Sequence, residues 1–145
     1  MNNPMVSSKR WYAGKPVREY PLESILSLTP LDLGFIEQIR QEVLSGLRNP
    51  VVVVQCTVMD IIQNAEDSYL ELPSTFLEDY GYHPKLEVLV VCGGASRMQI
   101  AEEAGYDGIS AIRVRSFHEA KSIQAQQKGE ESRTPLESRT AHAEQ

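Results

Sequence analysis

Residues 86–114 read LEVLVVCGGASRMQIAEEAGYDGISAIRV, and their punctuation decides the fold. The run Leu86–Val91 is apolar and short, the length of a buried strand. Gly93 and Gly94 follow, then Ala95, Ser96 and Arg97. The segment from about Arg97 to Ala104 suits a helix, and Gly105 suits the left-handed position that ends one. Ile109–Val114 is a second apolar strand. The unit is strand, glycine turn, helix, strand. Ser96 with Gln99 three residues on is a capping-box spacing, in which the hydroxyl accepts from the Gln99 amide and the Gln side chain reaches back.

Adjacent glycines before a helix let a ligand approach the backbone. The unpaired amides and dipole of the helix start favour an anion. Arg97 adds a fixed positive charge whose fork matches a phosphate. Gly93, Gly94, Ala95, Ser96 and Arg97 are thus a candidate phosphate or nucleotide site. The plain structural reading, a tight turn whose arginine makes a surface salt bridge, fits the same residues equally well.

Upstream, Val17–Tyr20 is a strand candidate closed by Pro21. Leu33, Ile36, Ile39, Val43 and Leu47 recur at spacings of three and four, which predicts a helix over 32–45 with one buried stripe. Asp32 is its N-cap and Gly46 its stop. Glu37, Arg40 and Glu42 form its solvated face. Arg48, Asn49 and Pro50 then lead into Val51–Val54, four valines in a row that fit a central strand buried on both faces. Residues 1–15 read as a loose leader, except that Trp11 and Tyr12 are expected to dock on the domain or on a partner.

About 29 residues, 57–85, separate the valine strand from Leu86. Val58, Ile61, Ile62 and Ala65 share one helical face, and Pro73-Ser74 opens a second short helix through Phe76, Leu77 and Tyr80. The stretch is acidic and aromatic, and an insertion of this length packs as a subdomain, a lid or an interface. Its carboxylates are more simply a solvated surface than a magnesium site. Beyond Val114, Ser116 and Glu119 are again at capping-box spacing and predict a short final helix to about residue 127. The polar tail, 121–145, carries the duplicated segment ESRT and suits a disordered or partner-binding segment.

The chain has 145 residues and a net charge of −6. That length suits one domain, and that charge argues against a freestanding DNA-binding module. No apolar stretch approaches membrane-span length, and the N-terminus lacks the apolar core of a signal peptide. A cytoplasmic protein is expected. Cys56 and Cys92 have neither a C-x-x-C spacing nor clustered histidines, so no metal site is expected and two reduced, partly buried thiols are.

GGASR, the short helix after it, a Gly-Tyr and the strand ISAIRV together resemble the core of the ParB/sulfiredoxin-like superfamily. VREYPLESILSL resembles that family's first strand and following loop, and SGLRNPVVVV resembles its Gly-x-x-x-Pro-Ile-x-Val approach to the second strand. The likeness covers about residues 16–120. It implies an α/β (α+β) domain in which a small mixed sheet of Val17–Tyr20, Val51–Gln55, Leu86–Val91 and Ile109–Val114 is covered by the helices at 32–45 and 97–104, with 57–85 as a long insertion between the second and third strands. The family hairpin also implies that Cys56 and Cys92 lie at opposite ends of an antiparallel pair, beyond disulfide reach.

The departures matter as much. Sulfiredoxins carry Gly-Gly-Cys-His-Arg, whereas Ala95 and Ser96 stand here for the cysteine and histidine, so sulfinic-acid reduction is not expected. Of the ParB turn that holds the CTP triphosphate only Arg97 remains, and the chain leaves no room for a helix-turn-helix, so partition-site recognition is not expected either. The resemblance implies a nucleotide ligand, ATP or CTP with Mg²⁺, on Gly93, Gly94, Ala95, Ser96 and Arg97, with Arg48 and Asn49 bordering it. Any turnover would be slow and metal-dependent. The alternatives are a catalytically degenerate interaction or structural module of a phage or plasmid, working through insert 57–85 or the tail, and a ParB-like nuclease, which the acidic charge disfavours.

Overall fold

The computed structural model describes residues 4–5, 9–45 and 49–131, with side chains over 9–45 and 49–126. The expected Gly46 stop, Leu47, Arg48 and the ESRT duplication beyond Glu131 lie outside the described residues. In chain order come β1 (Pro4–Met5), β2 (Trp11–Tyr12), β3 (Lys15–Pro16), β4 (Arg18–Pro21), β5 (Ile25–Leu26), α1 (Leu33–Leu44), β6 (Val51–Thr57), α2 (Val58–Asn64), α3 (Phe76–Tyr80), β7 (Glu87–Gly93), α4 (Ala95–Glu103), β8 (Gly108–Val114) and α5 (Phe117–Glu131). The architecture is mixed α+β.

The core grows from β6. Val52, Val54 and Cys56 pack on one face of the sheet, Val51 and Val53 on the other. The four valines are at most 1% exposed, and each such side chain contributes roughly 1.5–3 kcal/mol relative to leaving it in water. β6 pairs antiparallel with β7 and parallel with β8. β5 lies parallel on the far side of β7, while β8 also pairs antiparallel with β4 and parallel with β1. One face is covered by α5 through Phe117, Ala120 and Ile123, and by the insert through Val58, Ile61, Leu70 and Phe76. α4 covers the other through Ala95, Met98 and Ala101.

α1 meets this body through α4. Ile36, Ile39 and Val43 close on Ile100, and Arg40 donates to Glu37 at 2.7 Å and to Glu103 at 2.8 Å. The hydrogen bond from Gln99, followed by that from Arg40, holds the Glu103 carboxyl below the usual range. Asp32 caps α1 by accepting from the Phe35 amide, as its sequence position predicts. Leu33, expected in the buried stripe, is 71% exposed; it opens the helix, one turn before α4 is reached.

Part of the segment expected as a loose leader is regular structure: β1 pairs with β8, and β2 and β3 follow. β2 and β3 form a two-residue hairpin over Ala13 (φ 53°) and Gly14 (φ 76°), both in the left-handed region that such a turn requires. Tyr12 enters the core and Trp11 stays 66% exposed. Lys15 at the turn pairs with Glu119 at 2.9 Å. That pair engages the carboxylate expected to close the second capping box, of which Ser116 makes the other half by accepting from the Glu119 amide. α5 continues to Glu131, beyond its expected end.

The glycine turn is tighter than its sequence suggests. Gly93 still belongs to β7, opposite Val52, while Val53 faces Val91. Cys92 is therefore the extra residue of a bulge. Gly94 alone makes the turn, at φ 114°, and α4 starts at Ala95. Ser96 is thus the second helical residue and no side chain caps this helix, so the expected Ser96–Gln99 capping box does not form. Gln99 instead donates to Glu103 at 2.9 Å. Gly105, at φ 88°, ends α4; its amide donates to Glu102 and that of Tyr106 to Ala101, a Schellman stop.

A Cβ on Gly94 would stand 2.4 Å from Val51 Cγ1, at a φ that L-residues avoid. Gly94→Ala is expected to destabilise the fold by about 2–4 kcal/mol, strain and overpacking together. Gly105→Ala, with open space around its Cβ, should cost only about 1–2 kcal/mol. Urea denaturation of the two variants measures the difference.

Candidate functional site

A cavity of about 580 Å³ opens at the junction of β7 and α4, and Gly93, Gly94, Ala95, Ser96 and Arg97 all line it. Its size is that of small-molecule sites. α5 supplies Phe117, Lys121 and Gln124, α1 supplies Phe35 and Ile39, and the insert supplies Ser68 and Tyr69. The five turn residues named from the sequence are therefore brought together. The other two are not added to them. Asn49 does not line the cavity and holds Lys9 Nζ on its side-chain oxygen at 2.7 Å, and Arg48 lies outside the described residues.

The turn amides of α4 border the cavity. The first-turn N–H groups of a helix have no acceptor within it, and α4 has no side-chain cap. The partial positive charge of the helix start is thus uncompensated by a local carboxylate. Lys121, which lines the cavity, is exposed and, among the described residues, makes no ion pair.

Arg97 has a different place from the one its sequence context suggests. It is 7% exposed. Its Nη1 donates to the Asn49 carbonyl and, at 3.3 Å, to the Pro50 carbonyl. The guanidinium ties the start of β6 to α4, in the same corner where Gly94 admits Val51. A buried cation hydrogen-bonded to backbone is a structural clamp first, with one face on the cavity. Its burial overturns the expected surface placement.

Compared with known families and with curated proteins, the chain matches none.

The cysteines are both free and buried, as expected from their sequence context. Cys56 faces Val88, toward the opposite end of the β6–β7 pair from the Cys92 bulge. Cys92 borders the cavity. Burial pushes both thiols up to about 12, with lesser contributions from Asp60 on Cys56 and from Cys56 on Cys92. Neither is a nucleophile near neutral pH.

Asp60, one of the insert carboxylates considered for magnesium, is committed to structure. It accepts from the Thr57 amide at 3.0 Å while Thr57 Oγ1 accepts from the Asp60 amide at 3.1 Å, a complete capping box for α2. Among the described residues no group of three or more His, Cys, Asp or Glu side chains is placed to hold a metal. Sequence reasoning missed Lys121, Phe117 and the pair Ser68–Tyr69. The apolar period of α5 carries the first two, but only the tertiary fold shows that this helix backs the glycine turn.

Arg97→Met should destabilise the chain by about 2–4 kcal/mol, because it leaves two carbonyls at the start of β6 without their charged donor. Arg97→Lys should recover only part of that loss, a difference that chemical denaturation resolves. The thiols give a pH dependence. Their folded pKa lies above the ordinary thiol value of 9.0, so they favour folding below pH 9 and lose that contribution as pH rises toward 12, by up to roughly 1.4 kcal/mol per unit for each thiol. A Cys56→Ala/Cys92→Ala variant should show a shallower alkaline loss in denaturant titrations.

Proposed function

We propose that this chain binds a phosphate-bearing small molecule, a nucleotide such as ATP or CTP with its Mg²⁺, in the cavity at the glycine turn. The observation that carries this reading is the convergence of an uncapped helix start and an unpaired lysine on one cavity of about 580 Å³. The first-turn amides of α4 would hold the phosphates and Lys121 would neutralise them. Arg97 would stabilise the turn through its bonds to the Asn49 and Pro50 carbonyls. Mg²⁺ would arrive with the nucleotide, bridging its phosphate oxygens. The ParB/sulfiredoxin-like relationship is part of the same proposal, supported by the strand–glycine turn–helix order and the mixed sheet, and a cytoplasmic location suits such a ligand.

A protein-interaction role is the second reading. Leu77, Tyr82 and Met59 of the insert are 57%, 88% and 41% exposed, beside the carboxylates Glu78 and Asp79. Apolar side chains left in water among charges mark a contact surface.

The deciding variants leave the clamp intact. Ser96→Glu places a carboxylate at the second residue of α4, where the helix dipole favours it, so folding should be held while anion binding is lost. Lys121→Glu should weaken binding without touching the core. Thermal-shift titration of wild type at a hundredfold excess of ligand over its Kd should show stabilisation of about 2.7 kcal/mol, absent in Ser96→Glu. No shift with ATP, CTP or GTP, with or without Mg²⁺, would refute nucleotide binding and leave the insert surface as the working face.

A further inference from the structure

The insert closes α2 with a Schellman stop of its own. The Tyr69 amide donates to Glu66 and the Leu70 amide to Ala65, which places Tyr69 at the left-handed position, φ 57°. Glycine or asparagine ordinarily fills that position. A bulky aromatic residue there is an outlier whose strain the surrounding structure must offset. Folding does not use the ring, since Tyr69 is 81% exposed and Leu70, 7% exposed, makes the anchoring contact. Tyr69 nevertheless lines the cavity. So does Phe35 of α1, itself 41% exposed. Two aromatic side chains from different elements thus stand in water at one cavity. Ser68, the neighbour of Tyr69 on the same wall, has a buried hydroxyl with no hydrogen-bond partner among the described residues, a state that native structures rarely show. The cavity is also several times larger than a phosphate and partly apolar, so it is built for more than an anion.

We infer that Tyr69 is a stacking platform for an aromatic base, which makes the ligand of this cavity a nucleoside phosphate rather than a bare or sugar-linked phosphate. This rests on the phosphate reading of the α4 start. The α4 amides and Lys121 take the anionic end. The base lies on the Tyr69 ring, whose strained backbone keeps it at the cavity rather than on the core. Stacking tolerates any base, so Tyr69 sets the ligand class, and the choice among bases falls to polar groups of the wall.

Calorimetric titration of the full chain with ATP, CTP and inorganic tripolyphosphate, each with Mg²⁺, separates the two claims. Tyr69→Gly removes the ring and relieves the backbone, so its Tm should rise by about 2–4 °C while nucleotide affinity falls on the order of tenfold or more. Tripolyphosphate affinity should stay within about twofold, because the helix-start contacts are unchanged. Tyr69→Asn, which also tolerates the left-handed position, should repeat this pattern, and Tyr69→Phe should retain nucleotide affinity. If Tyr69→Gly weakens nucleotide no more than tripolyphosphate, or if wild type binds tripolyphosphate as tightly as nucleotide, the stacking role is wrong and the phosphate site stands. If wild type binds none of the three, both fall.

Discussion

The Cα of Gly94 and the side chain of Val51 share a space that no Cβ could enter, 2.4 Å from Val51 Cγ1. That close approach lets α4 begin one residue after β7 ends, directly over the start of the central strand. Arg97, one turn into the helix, then reaches back to the carbonyls of Asn49 and Pro50. Glycine and arginine act as one device: the first removes volume so that the elements touch, and the second supplies donors to backbone that the contact would otherwise bury unpaired. The position of α4, and through Ile100 that of α1, follows from it.

The same device reassigns the chemistry of the motif. A glycine pair and an arginine before a helix read naturally as a phosphate loop, yet here Gly94 makes room for a valine and Arg97 is held by carbonyls. What the motif leaves for a ligand is a consequence of its geometry. A turn of one residue has no place for an N-cap side chain, so no N-cap side chain accepts from the first amides of α4. Adding a capping serine or aspartate at position 94 would clash with Val51. The absence of an N-cap side chain is therefore a by-product of tight packing, and the cavity forms at that helix start.

Much of this was legible in the sequence. The mixed α+β class, the doubly buried valine strand, the Asp32 cap and the Gly105 stop follow from patterns that depend on near neighbours alone. The misreadings have one cause. Gly93 looked like part of a turn because its pairing with Val52 across the sheet is invisible locally, and moving the turn by that residue shifts Ser96 from capping position to the second helical residue. Arg97 looked like a surface charge because its acceptors lie 47 and 48 positions away. The order of residues 9–16 likewise depends on a long-range contact, the entry of Tyr12 into the core, and Lys15–Glu119 pins the hairpin to α5.

The cavity is the least legible feature because no single segment encodes it. Its floor is the turn, but its walls come from α1, from α5 and from an insertion that a minimal version of the topology would replace with a short hairpin. An insertion can be kept for the surface it presents outward or for what it adds to an existing site. The stretch 65–70 bears on the second: it closes the turn after α2 with a tyrosine where a glycine would be less strained and leaves the Ser68 hydroxyl without a partner among the described residues, two local costs that stability alone gives no reason to accept. Both fall on the stretch of the insert that borders the cavity, while α2 opens on an ordinary capping box, Thr57–Asp60. That coincidence of cost and position ties the insertion to the cavity rather than to the sheet it interrupts.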